Sequence, residues 1–398
     1  MGTLSPRGAW EVLLASLQLG LTSFGGPIAH IGYFEHAFVR QRRWLTAGQH
    51  ASLVSLCQVL PGPASSQYNF LVGLHRAGWT GAFAAWFGFT LPSVLLLYAG
   101  AMLSARAQGP LAQAALHGLK LVAVAVVAQA VWTMARKLCT DRITKALAGG
   151  AAILLLNVGG TPAQLAVLAL GALAGMFWCR QSAAEPGELS LPVRPVVARV
   201  ALAVFVALLL GLPLLAQQFP RSLAAFADVF YRAGALVFGG GHVVLPLLRD
   251  ALVPAGWISD ADFLAGYGLA QAVPGPLFAF AAWLGAVGDT GASPVPGAAV
   301  ATLFIFLPGL LVAVAGVSLW SRLARHTRAG AALAGINAAV VGILAAALYD
   351  PVWTTAIRSG ADVAIAVAGL ALLQRWKVPP VVVVGLCVAV SVSLEAFG

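Results

Sequence analysis

The sequence predicts an all-α polytopic membrane protein built from two copies of one unit, and three observations carry that reading. Of 398 residues, 60% are apolar and only 9% are charged, with a mean hydropathy of +0.90. A soluble domain carries roughly 25% charged residues, so most of this surface is made for lipid. Aromatic residues amount to 9%, and no long run alternates polar and apolar positions. That disfavours a transmembrane barrel against a helix bundle, the two structures that satisfy every backbone group in a bilayer. The third observation is an internal repeat. Ser23-Phe24-Gly25-Gly26-Pro27 is answered by Val237-Phe238-Gly239-Gly240-Gly241, and Gln58 to Pro63 by Gln271 to Pro276. Arg43 to Thr46 matches Gly256 to Ser259, Phe89 to Pro92 matches Ile305 to Pro308, and His117 to Lys120 matches Ala334 to Asn337. The offset drifts only from 213 to 217.

Along the chain, the amino terminus through Trp10 reads as retained sequence, because no small-residue cleavage site follows a short apolar core. Two interrupted segments come next: residues 10–38, broken at Gly25-Gly26-Pro27, and residues 49–73, broken at Pro61-Gly62-Pro63. Continuous crossings are expected near 80–104, 111–135, 143–158 and 161–179. Residues 183–199 have the glutamates and prolines of a linker, and residues 200–217 form an apolar run with no counterpart in the first copy. The units are therefore 1–182 and 218–398, separated by one extra crossing that turns the second upside down. Inverted repeats of this kind place a substrate site near the midplane at their interface. The second copy repeats the interruptions in 226–249 and 262–285.

The basic residues test this topology. If each interrupted segment is a hairpin returning to its starting side, the Arg and Lys residues divide 17 against 4 between the two faces, with Lys120 and Arg232 inside apolar segments. Positive-inside topology accounts for the net charge of +10 better than a nucleic-acid partner does, since the charges sit in short loops. Cys57, Cys139, Cys179 and Cys387 show no disulfide or zinc spacing, and no metal or cofactor is implied.

The breaks are where chemistry is expected. Glycine permits non-helical dihedrals, and proline removes a donor yet suits the first position of a new helix. Pro27, Pro63 and Pro276 are expected to begin half-helices deep in the protein, exposing unpaired N–H groups and the positive end of the dipole to an anion. The competing reading makes the breaks packing kinks, since Gly and Pro are enriched in membrane helices; finding both breaks in both copies favours the functional one. Around the second break, Gln58, Ser65, Ser66, Gln67 and Asn69 supply neutral donors for a tetrahedral oxyanion. The second copy keeps Gln271 but sets Leu277, Phe278, Ala279, Phe280 and Ala282 against that set, so the site should be lopsided towards the first copy.

The tandem Phe-Gly-Gly-Pro and Gln-x-x-Pro-Gly-Pro elements, at Phe24 to Pro27 and Gln58 to Pro63 and again at Phe238 to Gly241 and Gln271 to Pro276, resemble the chromate ion transporter family in its two-copy form. The likeness spans nearly the whole chain. It implies a bacterial inner-membrane exporter of chromate, with sulfate as the isosteric competitor. Gly241 departs from the pattern, standing where the first copy has Pro27.

The anion site expected from these elements holds Phe24, Gly25, Gly26, Pro27, Gln58, Pro61, Gly62, Pro63, Ser65, Ser66, Gln67 and Asn69 in the first copy. The second contributes Phe238, Gly239, Gly240, Gly241, His242, Gln271, Pro274, Gly275 and Pro276, and Lys120 joins them. His30 and Glu35 are proton-coupling candidates, His30 because its reference pKa lies near physiological pH, with a hydrogen-bonded structural histidine as the alternative. Glu11 and Asp228 lie early in the first helix of each copy, where a carboxylate is ordinary. A lysine at the centre of a span costs about 2.5 to 3.5 kcal/mol, so Lys120 either snorkels, pairs with Glu11 or Glu35, or faces the anion.

The function these features point to is secondary transport of a small divalent oxyanion, chromate or sulfate, with membrane lipids as the other partner and a homodimer compatible with it. A channel-like anion pathway and an intramembrane phosphate-handling enzyme are the alternatives. Against the enzyme stands the lack of a His/Asp/Glu cluster on one helix face to serve as acid and base.

Overall fold

The computed structural model describes residues 6–24, 26–106, 109–158, 160–179, 191–238, 241–323 and 327–397, and every regular element among them is helical. The first copy runs α1 (Pro6–Thr22), α2 (Gly26–Phe34, continued by a π-helical stretch Glu35–Gln41), α3 (Ala47–Val59), α4 (Ala64–Arg106), α5 (Pro110–Leu138), α6 (Arg142–Val158) and α7 (Gly160–Trp178). The extra crossing is α8 (Pro195–Gln218). The second copy follows with α9 (Leu223–Leu236), α10 (Val244–Leu252), α11 (Asp260–Ala270), α12 (Phe280–Val287), α13 (Pro294–Leu323) and α14 (Thr327–Ala347). A π-helical segment Leu348–Trp353 leads to the single turn α15 (Thr354–Ala356), and α16 (Gly360–Gln374) and α17 (Pro380–Phe397) end the chain. Among the described residues, six stretches are long and apolar enough to span a bilayer, within α4, α5, α8, α13, α14 with its extension, and α17.

The second broken segment and the crossing expected near 80–104 meet at a sharp turn inside α4. Ala77 and Gly78 leave helical dihedrals inside α4, with Gly78 at φ 65°. The Asn69 side-chain amide donates to the Ala85 carbonyl at 2.9 Å, although sixteen residues of straight helix would separate them by about 24 Å. Residues 64–76 therefore fold back along the rest of α4. Gly73 and Gly81 make this possible, because a Cβ on Gly73 would lie 2.7 Å from the Gly81 carbonyl carbon. The second copy repeats the contact, a Cβ on Gly285 falling 2.7 Å from the Ala298 Cα.

Side-chain contacts bring the ends of the broken segments to one face. Arg76 binds Glu11 at 3.0 Å, and both Arg42 and Arg76 stand over the Trp44 ring, at 5.9 and 5.3 Å from its centre. The start of α1, the end of the α2 extension and the end of the folded-back part of α4 thus lie together. The interrupted segments are hairpins.

Helix directions establish the inversion. The short connections between α5, α6 and α7 make them alternate, so α7 runs in the direction of α5. On α7, a Cβ on Gly171 would meet the Ala339 Cβ at 2.8 Å, and one on Gly175 the Gly335 Cα at 2.9 Å. Hence α14, the counterpart of α5, runs against α7. In the same way α5 runs with α16, through His117–Asp362 at 2.8 Å and Gln129 to Leu373 O at 3.3 Å. It runs against α17, where Ser391 donates to Ala114 O at 2.7 Å. Each copy's central helix thus packs on the other copy's final pair.

The copies are not equally solid. Among the largest fully buried side chains, Phe34, Phe38, Phe70 and Phe89 belong to the first copy, while Trp283, Tyr231, Tyr267 and five phenylalanines belong to the second. Arg232, in an apolar segment, pairs with Asp228 one turn earlier in α9, which gives Asp228 a structural partner.

Candidate functional site

Each Pro-Gly-Pro element is bound by the first break of the other copy. The Gly62 N–H donates to the Val237 carbonyl at 2.8 Å, and the Gly275 N–H donates to the Ser23 carbonyl at 2.8 Å. Glycine is required at both places for two reasons. Their φ values are 115° and 98°, a region that L side chains avoid. There is also no room: a Cβ on Gly62 would lie 2.7 Å from the Gly309 Cα, and one on Gly275 would strike the Ser93 hydroxyl. Ser93 donates to Pro274 O at 2.7 Å, while Gln67 donates to Pro61 O at 2.8 Å and to Gly309 O at 2.9 Å. Ser93 and Gly309 are themselves repeat counterparts, so the clamp is two-fold.

The first breaks differ as proline predicts. The first copy restarts directly as α2 at Gly26, whereas the second, lacking a proline at Gly241, restarts as a 3-10 turn over Gly241–Val243 before α10. His30 joins the two breaks of the first copy. Its Nε2 stands 3.3 Å from Ser23 O and its Nδ1 3.0 Å from the Ser65 hydroxyl. A carbonyl only accepts, so Nε2–H donates to Ser23 and Nδ1 accepts from Ser65. That bonding is complete for a neutral structural imidazole. His242 is held by the Tyr267 hydroxyl at 2.6 Å and lies beside Gly26. Gly25, Gly239 and Gly240 lie outside the described residues.

Beside the first tip is a cavity of about 170 Å³. Gln58, Gly62, Ala64 and Ser65 line it, with Ile31 and Phe34 of α2, Val54, Cys57 and Leu60, and Tyr68. Thr133, Met134, Lys137 and Leu138 supply the last turns of α5, and Asn337 of α14 supplies the second copy's share. The helix of α4 begins at this wall, at Ala64, and the first N–H groups of a helix have no intrahelical partner. Gln67 is the first residue of this helix to bond back, to Pro63 O at 2.9 Å. Positive dipole, amide, hydroxyl and ammonium groups thus converge on one apolar-walled space.

Only part of the expected set is gathered there. Gln58, Gly62 and Ser65 line the cavity, and Pro61 and Pro63 flank them. Ser66, Gln67 and Asn69 are buried and turned into the packing; Asn69 accepts from Ser16 at 3.3 Å. Phe24, Phe238, His242, Gln271, Pro274, Gly275, Pro276 and Lys120 do not line it. Glu35 is bound to Arg40 at 2.7 Å on the exposed face and Glu11 is taken by Arg76, so neither carboxylate pairs with Lys120. The backbone N–H of Gly62 is occupied by the Val237 carbonyl. Sequence reasoning overlooked Thr133, Lys137 and Asn337. Lys137 reads as one more topology-setting charge, and Asn337 is visible in sequence only as the counterpart of Lys120. Among the described residues, no three His, Cys, Asp or Glu side chains group as metal ligands.

The family model described as chromate transporter matches residues 10–176 and again 224–392. The chain belongs to the chromate transporter family. Within that family it is 29% identical over 377 residues to the chromate transport protein of Pseudomonas aeruginosa, covering 94% of this chain and 88% of that one. It is 27% identical over 396 residues to the chromate transport protein of Cupriavidus metallidurans, covering 97% and 93%. A probable chromate transport protein of Synechococcus elongatus is 27% identical, covering 91% and 88%. No solved structure matches the chain. As a chromate transporter family member, it is a multi-pass membrane transporter and not an enzyme.

Proposed function

We propose that this family member is a secondary transporter of a small divalent oxyanion, chromate with sulfate as its analogue, working outward across a bacterial inner membrane. The observation that carries the reading is the cavity at the start of α4. The folded-back part of α4 reaches about 20 Å from its turn at Ala77 to its start at Ala64, at 1.5 Å per residue, which is past the middle of a 30 Å hydrocarbon core. A helix start at that depth offers N–H groups and dipole to an anion without a basic side chain. Gln58 and Ser65 add neutral hydrogen bonds, and Lys137 adds the charge at the end of α5 that carries Arg136 and Lys137. By positive-inside topology that end is cytoplasmic, so the cavity suits loading from the cytoplasm.

Energetics agree with export. A dianion leaving an inside-negative cell gains about 4.6 kcal/mol per 100 mV, from about 2.3 per charge, so potential alone suffices, whereas uptake requires a coupled ion. Everted membrane vesicles containing the protein should accumulate labelled chromate, faster with an interior-positive potential, and unlabelled sulfate should compete. Vesicles that take up neither anion above an empty-membrane control would overturn the proposal.

A further inference from the structure

The tips of the two copies are in different states. After Pro63 the first copy has Ala64 and Ser65 and opens onto the cavity; the corresponding residues after Pro276 are Leu277 and Phe278. These two pack against the first break of their own copy. A Cβ on Gly241 would lie 3.3 Å from the Leu277 Cδ2 and 3.7 Å from Phe278 Cε2. Phe278 is only 4% exposed. The second tip is closed where the first is open.

Inverted units that clasp each other through reciprocal bonds have a defined alternative arrangement, in which the two exchange conformations and access moves to the opposite face. Under that exchange every residue lining the inner cavity is replaced by its counterpart. The second copy's contribution to the inner cavity is Asn337. Its counterpart, through the match of Ala334–Asn337 to His117–Lys120, is Lys120 on α5. Lys120 is 8% exposed, and the two carboxylates that sequence offered it are bonded to Arg76 and Arg40 instead. A buried lysine is expensive in a membrane segment and marks an ion pathway or a partner.

Resting on the carrier reading above, we propose that Lys120 is the cation of a second, outward-facing half-site for the same oxyanion. Gln271 and the N–H groups that follow Pro276 complete it, and it forms when the two units exchange conformation. The inner half-site then holds its lysine at Lys137 and a neutral amide at Asn337. The outer one holds its lysine where the inner has the amide.

The test compares half-saturation for chromate presented at each face, using everted and right-side-out vesicles and counterflow of labelled chromate. Lys120→Met should raise the outer value relative to the inner about tenfold or more, as loss of a charge-assisted hydrogen bond does. The paired exchange Lys120→Asn with Asn337→Lys should move the ratio the same way by tightening the inner face as well as loosening the outer. Equal factors on both faces in both variants would overturn the proposal, as would failure of both proteins to accumulate in the membrane, which would make Lys120 architectural. Wild-type protein that moves chromate from neither face is a different result: it removes the carrier reading itself.

Discussion

The Arg76 guanidinium lies 5.3 Å from the centre of the Trp44 ring, so the end of the second broken segment stands over the residue that follows the first. Arg42 approaches the same ring at 5.9 Å. Three chain points that full crossings would put on opposite faces are thereby held on one, and the hairpin character of both segments follows from this cluster. Each cation over an aromatic ring contributes about 0.5 to 1 kcal/mol at an exposed site. The cluster therefore records the topology more than it stabilises it.

In a background without native cysteines, single cysteines beside Arg42, Arg76 and Arg375 should all react with an impermeant thiol reagent from the cytoplasmic side, and one at Asp289 only from the other. Labelling of Asp289 and Arg42 from the same side would contradict the inverted arrangement.

Gly62 and Gly275 are two of the places where the backbones of the copies meet closely. Alanine at Gly62 brings two costs: about 1 to 2 kcal/mol for an L residue in left-handed conformation, and a Cβ 2.7 Å from the Gly309 Cα. Gly62→Ala should lower the thermal unfolding temperature of the detergent-purified protein and abolish transport together. Gly275→Ala should do the same, because its Cβ meets the Ser93 hydroxyl. A variant with normal stability but no transport would mean that the glycine acts on the anion and not on the clasp between copies.

The architecture was legible in the sequence to a large degree, and the limits have physical causes. The repeat, the hairpins and the inversion rest on Gly, Pro and Arg positions, whose effects are local and strong. The members of the site were less readable. Gln58, Gly62 and Ser65 face the cavity, but Gln67 and Asn69, with the same chemistry a few residues on, are spent on Gly309 O and Ala85 O. Helical phase alone does not separate these roles, because the folded-back part of α4 is buried on every side. Lys137 and Asn337 reach the cavity from segments over 70 residues away in sequence, and only tertiary packing brings them there. The turn at Ala77-Gly78 falls in the gap that the sequence leaves between the segment ending at residue 73 and the crossing beginning near 80.

His30 and Ser65 should behave as a coupled pair. Nδ1 of His30 accepts from Ser65 at 3.0 Å in a site where His30 is 1% exposed, and removing either partner strands a buried polar group at a cost of about 1 to 3 kcal/mol. Ser65→Ala and His30→Ala should each lower stability. Thermal unfolding of the double variant should fall short of their sum, giving an interaction of about 0.5 to 3 kcal/mol. Strict additivity would show that the bond does not hold the two breaks together, and would return His30 to candidacy as a proton carrier.

Lys137 gives the sharpest test of the cavity itself. It lies on the last turn of α5, lines the same space as Gln58 and Ser65, and is the one lysine or arginine among the described residues lining it. Lys137→Met keeps the length and apolar stem of the side chain and removes the charge. A charge-assisted hydrogen bond contributes about 1.5 to 3 kcal/mol, so half-saturation for chromate at the cytoplasmic face should rise by about tenfold or more while the amount of folded protein stays the same. Arg136, the adjacent residue on the same turn, is not among the lining residues, and Arg136→Met changes the surface charge by the same amount. If both variants weaken chromate uptake equally, the effect is the field of the basic face, screened by salt within about 8 Å at physiological ionic strength. Loss confined to Lys137→Met and persisting at high salt places the ammonium group on the anion.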